Sequence, residues 1–575
     1  MGESVAVERE QGVRLVRGSA DGVNVTVIDS PETVAEPSDI PGAAWPRTVA
    51  EAESAHPRWA WRSSRVWYPR LLDAGMRVER CIDLTLCGTI LRNAAVTVGT
   101  PLHGSPPAWS HGAGHVAVDD DGALFRMDDP EPSAPAVDEG AELRQQQAAV
   151  SEIVDAGAAS RMRLLLAAES AGSLVAEEMR HAGLPWRADV HGELLVEALG
   201  APDRFGGRPA RMESLLVEIR EKLAAPGLNP DSPGELVKGL QRAGINATST
   251  RAWQLREVKH PAIPALLEYK KLSRLYTANG WSWLASWVHD GRFRPEYVPG
   301  GVVTGRWATN GGGALQLPKQ IRAAVVADPG WKLVVADAAQ LEPRILAGMA
   351  HDERMAAAGR RRDLYDGLVA SGVVDTRAHA KVGMLAAMYG GTTGDGAKVL
   401  PRLTRAFPRA TALVADAAAT GERGGVVSTL LGRSSPEPSS EWFAGQAAAS
   451  DPAATQEDER RARSRARDWG RFTRNFVVQG TAAEWALCWM AELRNRLATM
   501  TANSPGLARP PFDRSPHLVY FLHDEVVVHA PAELADDAAQ AVRESAAAAG
   551  RLLFGAFPIE FPLTVAVVDS YDRAK

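Results

Sequence analysis

Thr376-Arg377-Ala378-His379-Ala380-Lys381-Val382-Gly383-Met384-Leu385-Ala386-Ala387-Met388-Tyr389-Gly390-Gly391 is the stretch on which the reading of this chain turns. Arg377, Lys381, Leu385 and Tyr389 recur every fourth residue, so on a helix they form one slowly drifting stripe. At roughly 1.5 Å per residue the stripe is about 18 Å long. Two cations lead it and an aromatic ends it. Neither cation has an acid three or four residues away in sequence, and both fall near the helix N-terminus, where the dipole favours an anion. The stripe matches a nucleoside triphosphate laid along it, with phosphates at Arg377 and Lys381 and base and sugar toward Leu385 and Tyr389. Taken alone, the stretch also reads as an ordinary exposed helix with a buried tyrosine.

Two carboxylates flank this stretch at long range. Asp337 ends the apolar run Lys332-Leu333-Val334-Val335-Ala336, and Asp524 lies between Leu518-Val519-Tyr520-Phe521-Leu522 and Val526-Val527-Val528. Each is expected where a buried strand meets its turn. An acid there is commonly a solvated turn residue. Two of them meeting at the edge of one sheet can instead hold two divalent ions and move a phosphoryl group.

Bulk properties set the frame. The chain has 575 residues, which predicts more than one domain. It is 45% hydrophobic and 23% charged with a net charge of -6, so a nucleic-acid surface would have to be local. The three cysteines, Cys81, Cys87 and Cys488, form no C-x-x-C pair, which argues against a disulfide framework or zinc ribbon. No apolar run reaches the length of a membrane span. The start Met1-Gly2-Glu3-Ser4 does not read as a signal peptide, and Ala6 breaks the myristoylation pattern. A cytoplasmic protein is the expectation.

Residues 1–150 read as α/β, with strands at Gly12–Val16 and Val23–Ile28 and an acidic, Pro-rich segment over 127–146 read as a mobile linker. The pattern from 151 to 296 is helical; a long helix through Leu164–Met179 closes at Gly183 and Pro185. Lys270, Lys271 and Arg274 line a helix there, either as a solvated basic face or as contacts to phosphate. Strands and helices mix from Tyr297 on. Ser434–Thr455 reads as a loose surface insertion, within an insertion spanning 434–459. It runs into seven arginines between Arg460 and Arg474, which would repel one another without an anion such as a phosphate backbone.

Arg377, Lys381, Leu385 and Tyr389-Gly390 resemble R-x-x-x-K-x-x-x-[aromatic]-x-x-x-Y-G, the fingers-helix signature of family A DNA polymerases, the bacterial polymerase I type, whose members are found in the bacterial nucleoid. Asp337-Ala338-Ala339-Gln340-Leu341-Glu342-Pro343-Arg344 is similar to the family's first palm motif, and Leu522-His523-Asp524-Glu525 to its last. Arg471, Asn475, Gln479 and Gly480-Thr481-Ala482-Ala483 resemble its R-x-x-x-N-x-x-x-Q-G-T-A-A helix. Thr304-Gly305-Arg306, Leu315-Gln316 and Thr429-Leu430-Leu431-Gly432-Arg433 resemble its T-G-R, L-Q and T-L-x-G-R elements, the last as a strand.

The resemblance implies an α/β multidomain protein: a right-hand polymerase with an antiparallel palm sheet and helical fingers and thumb, preceded by a ribonuclease H-like domain of the 3′–5′ exonuclease type. The thumb would span 151–296, the palm 297–350 and 429–575, and the fingers 351–428. The partners implied are primer–template DNA and deoxynucleoside triphosphates, with two Mg2+ ions, no membrane, and a monomeric state. Asp337, Ala338 and Asp524 would bind the metal; Asp337, Asp524 and Lys381 would carry catalysis. Arg377, Lys381, Leu385, Tyr389, Gln340, Glu342 and His523 would bind the nucleotide, Glu342 by crowding the sugar 2′ position. Lys270, Lys271, Arg274, Arg306, Gln316, Arg471, Asn475, Gln479 and Glu525 would contact DNA. A non-catalytic DNA-binding protein that kept the fold is the alternative.

Departures from the pattern carry expectations too. Leu385 stands where the family has Phe or Tyr, and Ala338 where it has Tyr. The N-terminal region has no D-x-E on its first strand; Asp129-Pro130-Glu131 fits the letters but lies in the acidic segment. Tyr68 has no Asp four residues on. Val78–Leu86 resembles a stretch of the exonuclease domain without its ligands. A shrunken, degenerate domain without proofreading is expected, and nothing matches a 5′-nuclease domain.

Overall fold

A computed structural model describes residues 13–19, 22–30, 33–34, 36–109, 138–203, 206–361, 363–391 and 394–574. The alternating apolar residues of the N-terminus form a hairpin of β1 (Val13–Ser19) and β2 (Gly22–Ser30). Two short strands, β3 (Thr33–Val34) and β4 (Ser38–Pro41), share the outer edge of β2. On the other side β5 (Arg58–Trp61) and then β6 (Arg80–Asp83) add in parallel. An antiparallel hairpin continued by parallel strands is the expected α/β domain.

Asp83 ends β6 and caps α1 (Leu84–Asn93). Its carboxylate accepts from the amides of Leu86 at 3.1 Å and Ser64 at 2.7 Å. The linker expectation needs correction. Residues 127–137, with Asp129 and Glu131, lie outside the described residues, but 139–146 belong to α2 (Glu139–Ser151). Glu142 of α2 is buried and accepts from both terminal nitrogens of Arg92 at 2.9 and 2.8 Å. Composition marks such a segment as solvated; it cannot reveal that one acid has a fixed cationic partner.

The long helix α3 (Ala156–Ala182) ends at Gly183, whose φ of 72° is open to glycine at little cost. It is buried on most faces because it lies between the N-terminal domain and the second half of the chain. At that junction Glu178 accepts from the Tyr68 hydroxyl at 2.5 Å, from Arg77 at 3.1 Å and from Arg494 at 2.7 Å. Further helices follow, among them α4 (Ile263–Asn279) with Lys270, Lys271 and Arg274.

The second sheet decides where the chemistry can occur. It is built from β7 (Trp331–Ala338), β8 (His517–Leu522), β9 (Glu525–Pro531) and β10 (Leu563–Val568), antiparallel throughout in the order β8-β9-β7-β10. The central strands are covered on both faces, which explains their nearly unbroken apolar runs. Around the sheet lie α5 (Leu341–Met349), α6 (Leu364–Ala370), α7 (Arg377–Tyr389), α8 (Ser440–Ala449), α9 (Gln456–Ala498) and α10 (Ala535–Phe554). The Trp489 indole of α9 donates to the Val542 carbonyl of α10 at 3.1 Å, locking two helices that cover the sheet.

Two further expectations are corrected. The insertion is not loose: Ser434 bridges to Ser428, Ser439 caps α8, and Gln446 of α8 donates to the Ala462 carbonyl of α9 at 2.9 Å. Buried Trp442 supplies the apolar anchor that the Pro/Ser/Ala composition obscures. Thr429–Arg433 is a turn rather than a strand, closed by the Thr429 amide donating to the Arg433 carbonyl at 2.9 Å. The Arg433 guanidinium reaches Glu169 of α3 at 2.6 Å.

Candidate active site

Asp337 and Asp524 meet at one end of the second sheet. Strands β8 and β9 turn through only His523 and Asp524. His523 takes a left-handed φ of 59°, a conformation costing an ordinary residue about 1–3 kcal/mol. The register sets Asp337 opposite Glu525, and the Ala338 amide donates to the Asp524 carbonyl at 2.9 Å. Both aspartates are half-buried. After Ala338 the chain leaves the sheet through Ala339 and Gln340, the latter also left-handed with φ 49°. Fully buried Arg344 fixes this exit by donating to the Ala339 carbonyl at 3.0 Å.

A cavity of about 280 Å³ opens beside the aspartates; Arg306, Gln340, Glu342, Leu385, His523 and Asp524 lie on its wall. Its deeper lining is apolar, from Trp307, Met388, Ala486 and Phe521 among others. Helix α7 forms one side. As the spacing predicts, Arg377, Lys381, Leu385 and Tyr389 are all exposed on one stripe, while Ala380, Met384, Ala387 and Met388 are buried. Thr376 caps the helix and Gly390 ends it with φ 75°. A β-carbon at Gly390 would stand 3.0 Å from the Arg471 side chain, so glycine there also lets α7 approach α9.

Glu342 joins four expected residues into one cluster. Its carboxylate accepts from Arg306 and, at 2.6 Å, from the Tyr389 hydroxyl. Tyr389 also hydrogen-bonds Gln479 of α9. Burial, with the Glu342 bond, pushes the Tyr389 pKa up to about 12, so the hydroxyl stays a donor at neutral pH. Burial lowers the pKa of His523, and nearby Arg306 acts in the same direction.

Other placements qualify the sequence reading. Glu525, expected to contact DNA, is not at the surface: it is 2% exposed, accepts from the Tyr571 hydroxyl and lies 3.5 Å from Arg322. A carboxylate on a fully covered strand requires such partners, and Asp524 one residue earlier escapes this only by sitting in the turn. Gln340 turns its amide to α6, donating to Asp363 at 2.9 Å and accepting from the Leu364 amide at 3.2 Å. Arg377 has acids after all: Asp363 at 2.8 Å and Asp366 at 3.8 Å, both far from it in sequence.

The arginine run carries its own anions. Arg461 and Arg463 pair with Glu457 and Glu459 one turn earlier, Arg465 with Glu441 of α8, and Arg471 with Asp468. The self-repulsion expected from sequence is therefore relieved largely within the protein. Gln316 is exposed on a short turn beside the cavity, and Asn475 lies half-buried one turn before Gln479. Lys270, Lys271 and Arg274 are not among the described residues that line the cavity; Lys271 lies 3.8 Å from Glu268. Sequence reading missed Asp363 and Tyr365. The cap-like spacing Asp363-Leu364-Tyr365-Asp366 was the available signal for the former.

Comparison with known proteins agrees with this build. The family model described as DNA polymerase family A matches residues 210–570. The thermostable DNA polymerase I of Thermus filiformis is 26% identical over 392 residues, covering 63% of this chain and 42% of that protein. That of Thermus aquaticus is 25% identical over 355 residues, 57% of this chain and 38% of that protein. The match thus spans about two fifths of these relatives' length. Among solved structures, the POL domain of Pol1 from M. smegmatis, in complex with DNA primer–template and dNTP, superposes with a TM-score of 0.68. At 17% identity, over 98% of this chain and 96% of that one, the likeness is one of fold. The chain belongs to DNA polymerase family A.

Proposed function

We propose that this chain is a template-directed DNA polymerase that extends a primer 3′-hydroxyl with deoxynucleoside triphosphates, in replication or repair. The observation that carries the reading is the meeting of Asp337 and Asp524 at a cavity that α7 walls with Leu385 and Met388, with Arg377 and Lys381 exposed further along the same helix. We assign 151–296 to a thumb, 351–428 to fingers, and 297–350 with 429–575 to a palm.

The donor set fits magnesium: two half-buried carboxylates and main-chain oxygen are hard ligands, and this ion takes one or two carboxylates plus phosphate and water. Among the described residues no group of three or more His, Cys, Asp or Glu is placed to hold a metal, so the aspartates would need substrate phosphates to complete the shell. Asp337, Ala338 and Asp524 would hold a magnesium pair, which when bound lowers the pKa of a hydroxyl and stabilises charge at the phosphoryl group. Arg377 and Lys381 would neutralise the triphosphate, and Lys381 would give a proton to the leaving pyrophosphate. Glu342, clasped by Arg306 and Tyr389, would stand against a 2′-hydroxyl. Arg306, Asn475 and Gln479 would read minor-groove acceptors, which are similarly placed in every base pair.

For the N-terminal domain we propose a degenerate exonuclease fold without proofreading. What supports this is Asp83, the one acid in the exonuclease-like stretch's strand end, whose two carboxylate oxygens are taken up by the Leu86 amide of α1 and by the Ser64 amide. The test is primer extension with four deoxynucleotides and magnesium. The parent should extend, and Asp337→Asn should lose roughly a hundredfold or more while still binding duplex. Binding without extension by the parent would instead indicate a non-catalytic DNA-binding protein, and near-normal extension by Asp337→Asn would remove Asp337 from the chemistry.

A further inference from the structure

Resting on the polymerase reading, we propose that Asp363 is a positioning residue: it holds the Arg377 guanidinium by one edge so that the other edge is presented to a nucleoside triphosphate. Asp363 stands at the N-cap of α6, where its Oδ1 accepts from the Asp366 amide at 3.1 Å. Its Oδ2 accepts from Arg377 Nη2 at 2.8 Å and from Gln340 Nε2 at 2.9 Å. Asp366 lies 3.8 Å from Arg377 Nε. The Tyr365 ring lies under the guanidinium, 5.4 Å from ring centre to the central carbon.

The Nε and Nη2 side of the fork is therefore gripped by two carboxylates, and one face rests on an aromatic ring. Among the described residues, Nη1 has no hydrogen-bond or ion-pair partner. A guanidinium offers five donors in a rigid plane, so holding one edge orients the rest. The grip is also tied to the sheet. Gln340, three residues after Asp337, bonds both Asp363 and the Leu364 amide, and it lines the cavity together with Tyr365. One carboxylate thus relates the cation of α7 to the strand end that carries Asp337.

Two physical effects of removing this carboxylate have opposite signs. Simple electrostatics says that losing a negative charge near a triphosphate tightens binding. Positioning says that a released arginine, on a long and flexible stem, binds it less well. We expect positioning to win, because Arg377 is about half exposed and long-range repulsion there is screened.

The experiment uses Asp363→Asn and Asp363→Ser, since Asn and Ser both keep a cap acceptor for α6. Single-nucleotide incorporation should show KM for the deoxynucleotide raised about three- to fivefold, as expected for loss of a partly exposed pair, with kcat and primer–template affinity unchanged. In an Arg377→Ala background, Asp363→Asn should add nothing. Equilibrium titration of a deoxynucleoside triphosphate into the complex with a chain-terminated primer should show the same loss. A KM unchanged or lowered in Asp363→Asn, or an equal rise in the Arg377→Ala background, overturns the proposal while leaving the polymerase reading intact. A parent that binds nucleotide but extends no primer overturns the polymerase reading, and the titration then still decides the role of Asp363.

Discussion

Tyr389→Phe should weaken discrimination against ribonucleotides by about fivefold while leaving deoxynucleotide use nearly unchanged. The hydroxyl donates to Glu342 at 2.6 Å, and Arg306 holds the other carboxylate oxygen. Bonds to a charged group contribute roughly 1.5–3 kcal/mol when buried. Tyr389 is 37% exposed, so solvent screening brings this to about 1 kcal/mol. Phe keeps the ring against α9 and removes only that bond. Glu342 would then be anchored on one side, free to swing from an added 2′-hydroxyl. About 1 kcal/mol in the wrong substrate's transition state corresponds to roughly a fivefold change. The assay is the ratio of kcat/KM for deoxy over ribo substrates in the parent, Tyr389→Phe and Glu342→Ala. Glu342→Ala should lower the ratio much further, because it removes the obstacle itself. If Glu342→Ala collapses the ratio but Tyr389→Phe leaves it unchanged, the hydroxyl does not hold the carboxylate in place and the reasoning fails.

Leu385 borders the cavity and is 38% exposed where an aromatic would cover the sugar, so Leu385→Tyr should reduce discrimination against dideoxynucleotides by about tenfold and lower the deoxynucleotide KM; an unchanged ratio of kcat/KM for the two substrates would mean that this position does not face the sugar. Glu484 is buried and accepts from Thr429 and from the Leu431 amide at 3.0 Å, and burial raises its pKa from 4.5 to about 7. The folded state therefore holds a proton that the unfolded state releases between those values, so its contribution favours folding at low pH and is lost as pH rises through about 7. Relative to the parent, Glu484→Gln should gain on the order of 2–3 kcal/mol between pH 5 and pH 8, read as a pH-dependent difference in Tm; a difference constant with pH would show that Glu484 stays ionised.

What the sequence disclosed was local and periodic. The stripe of α7 was legible because a four-residue recurrence of Arg377, Lys381, Leu385 and Tyr389 has one geometric meaning on a helix. The ends of β7 and β8 were legible because their apolar runs stop at Asp337 and at His523-Asp524. What escaped were contacts between distant segments. Asp363 is separated from Arg377 by a helix and a loop, so no spacing rule links them, although the structure sets them 2.8 Å apart. Arg465 finds Glu441 on α8, a helix masked by the Pro- and Ser-rich residues that lead into it. Glu142 and Arg92 likewise needed the fold to meet.

The neighbours Asp524 and Glu525 show why residue type at a motif does not settle role. Both are acids at the same hairpin, and both were assigned to the site. Asp524 lies in the two-residue turn, half-buried on the cavity wall, where a carboxylate can stay solvated and accept a ligand. Glu525 begins β9 on a strand covered on both faces, so its charge must be met inside the protein. Arg322 and the Tyr571 hydroxyl meet it, and Arg322 also lies over the Tyr571 ring at 4.3 Å. These partners tie the start of β9 to residues before β7 and after β10. The second acid thus fixes the backbone from which the first projects, and its effect on chemistry would be transmitted through the position of Asp524 rather than through contact with DNA.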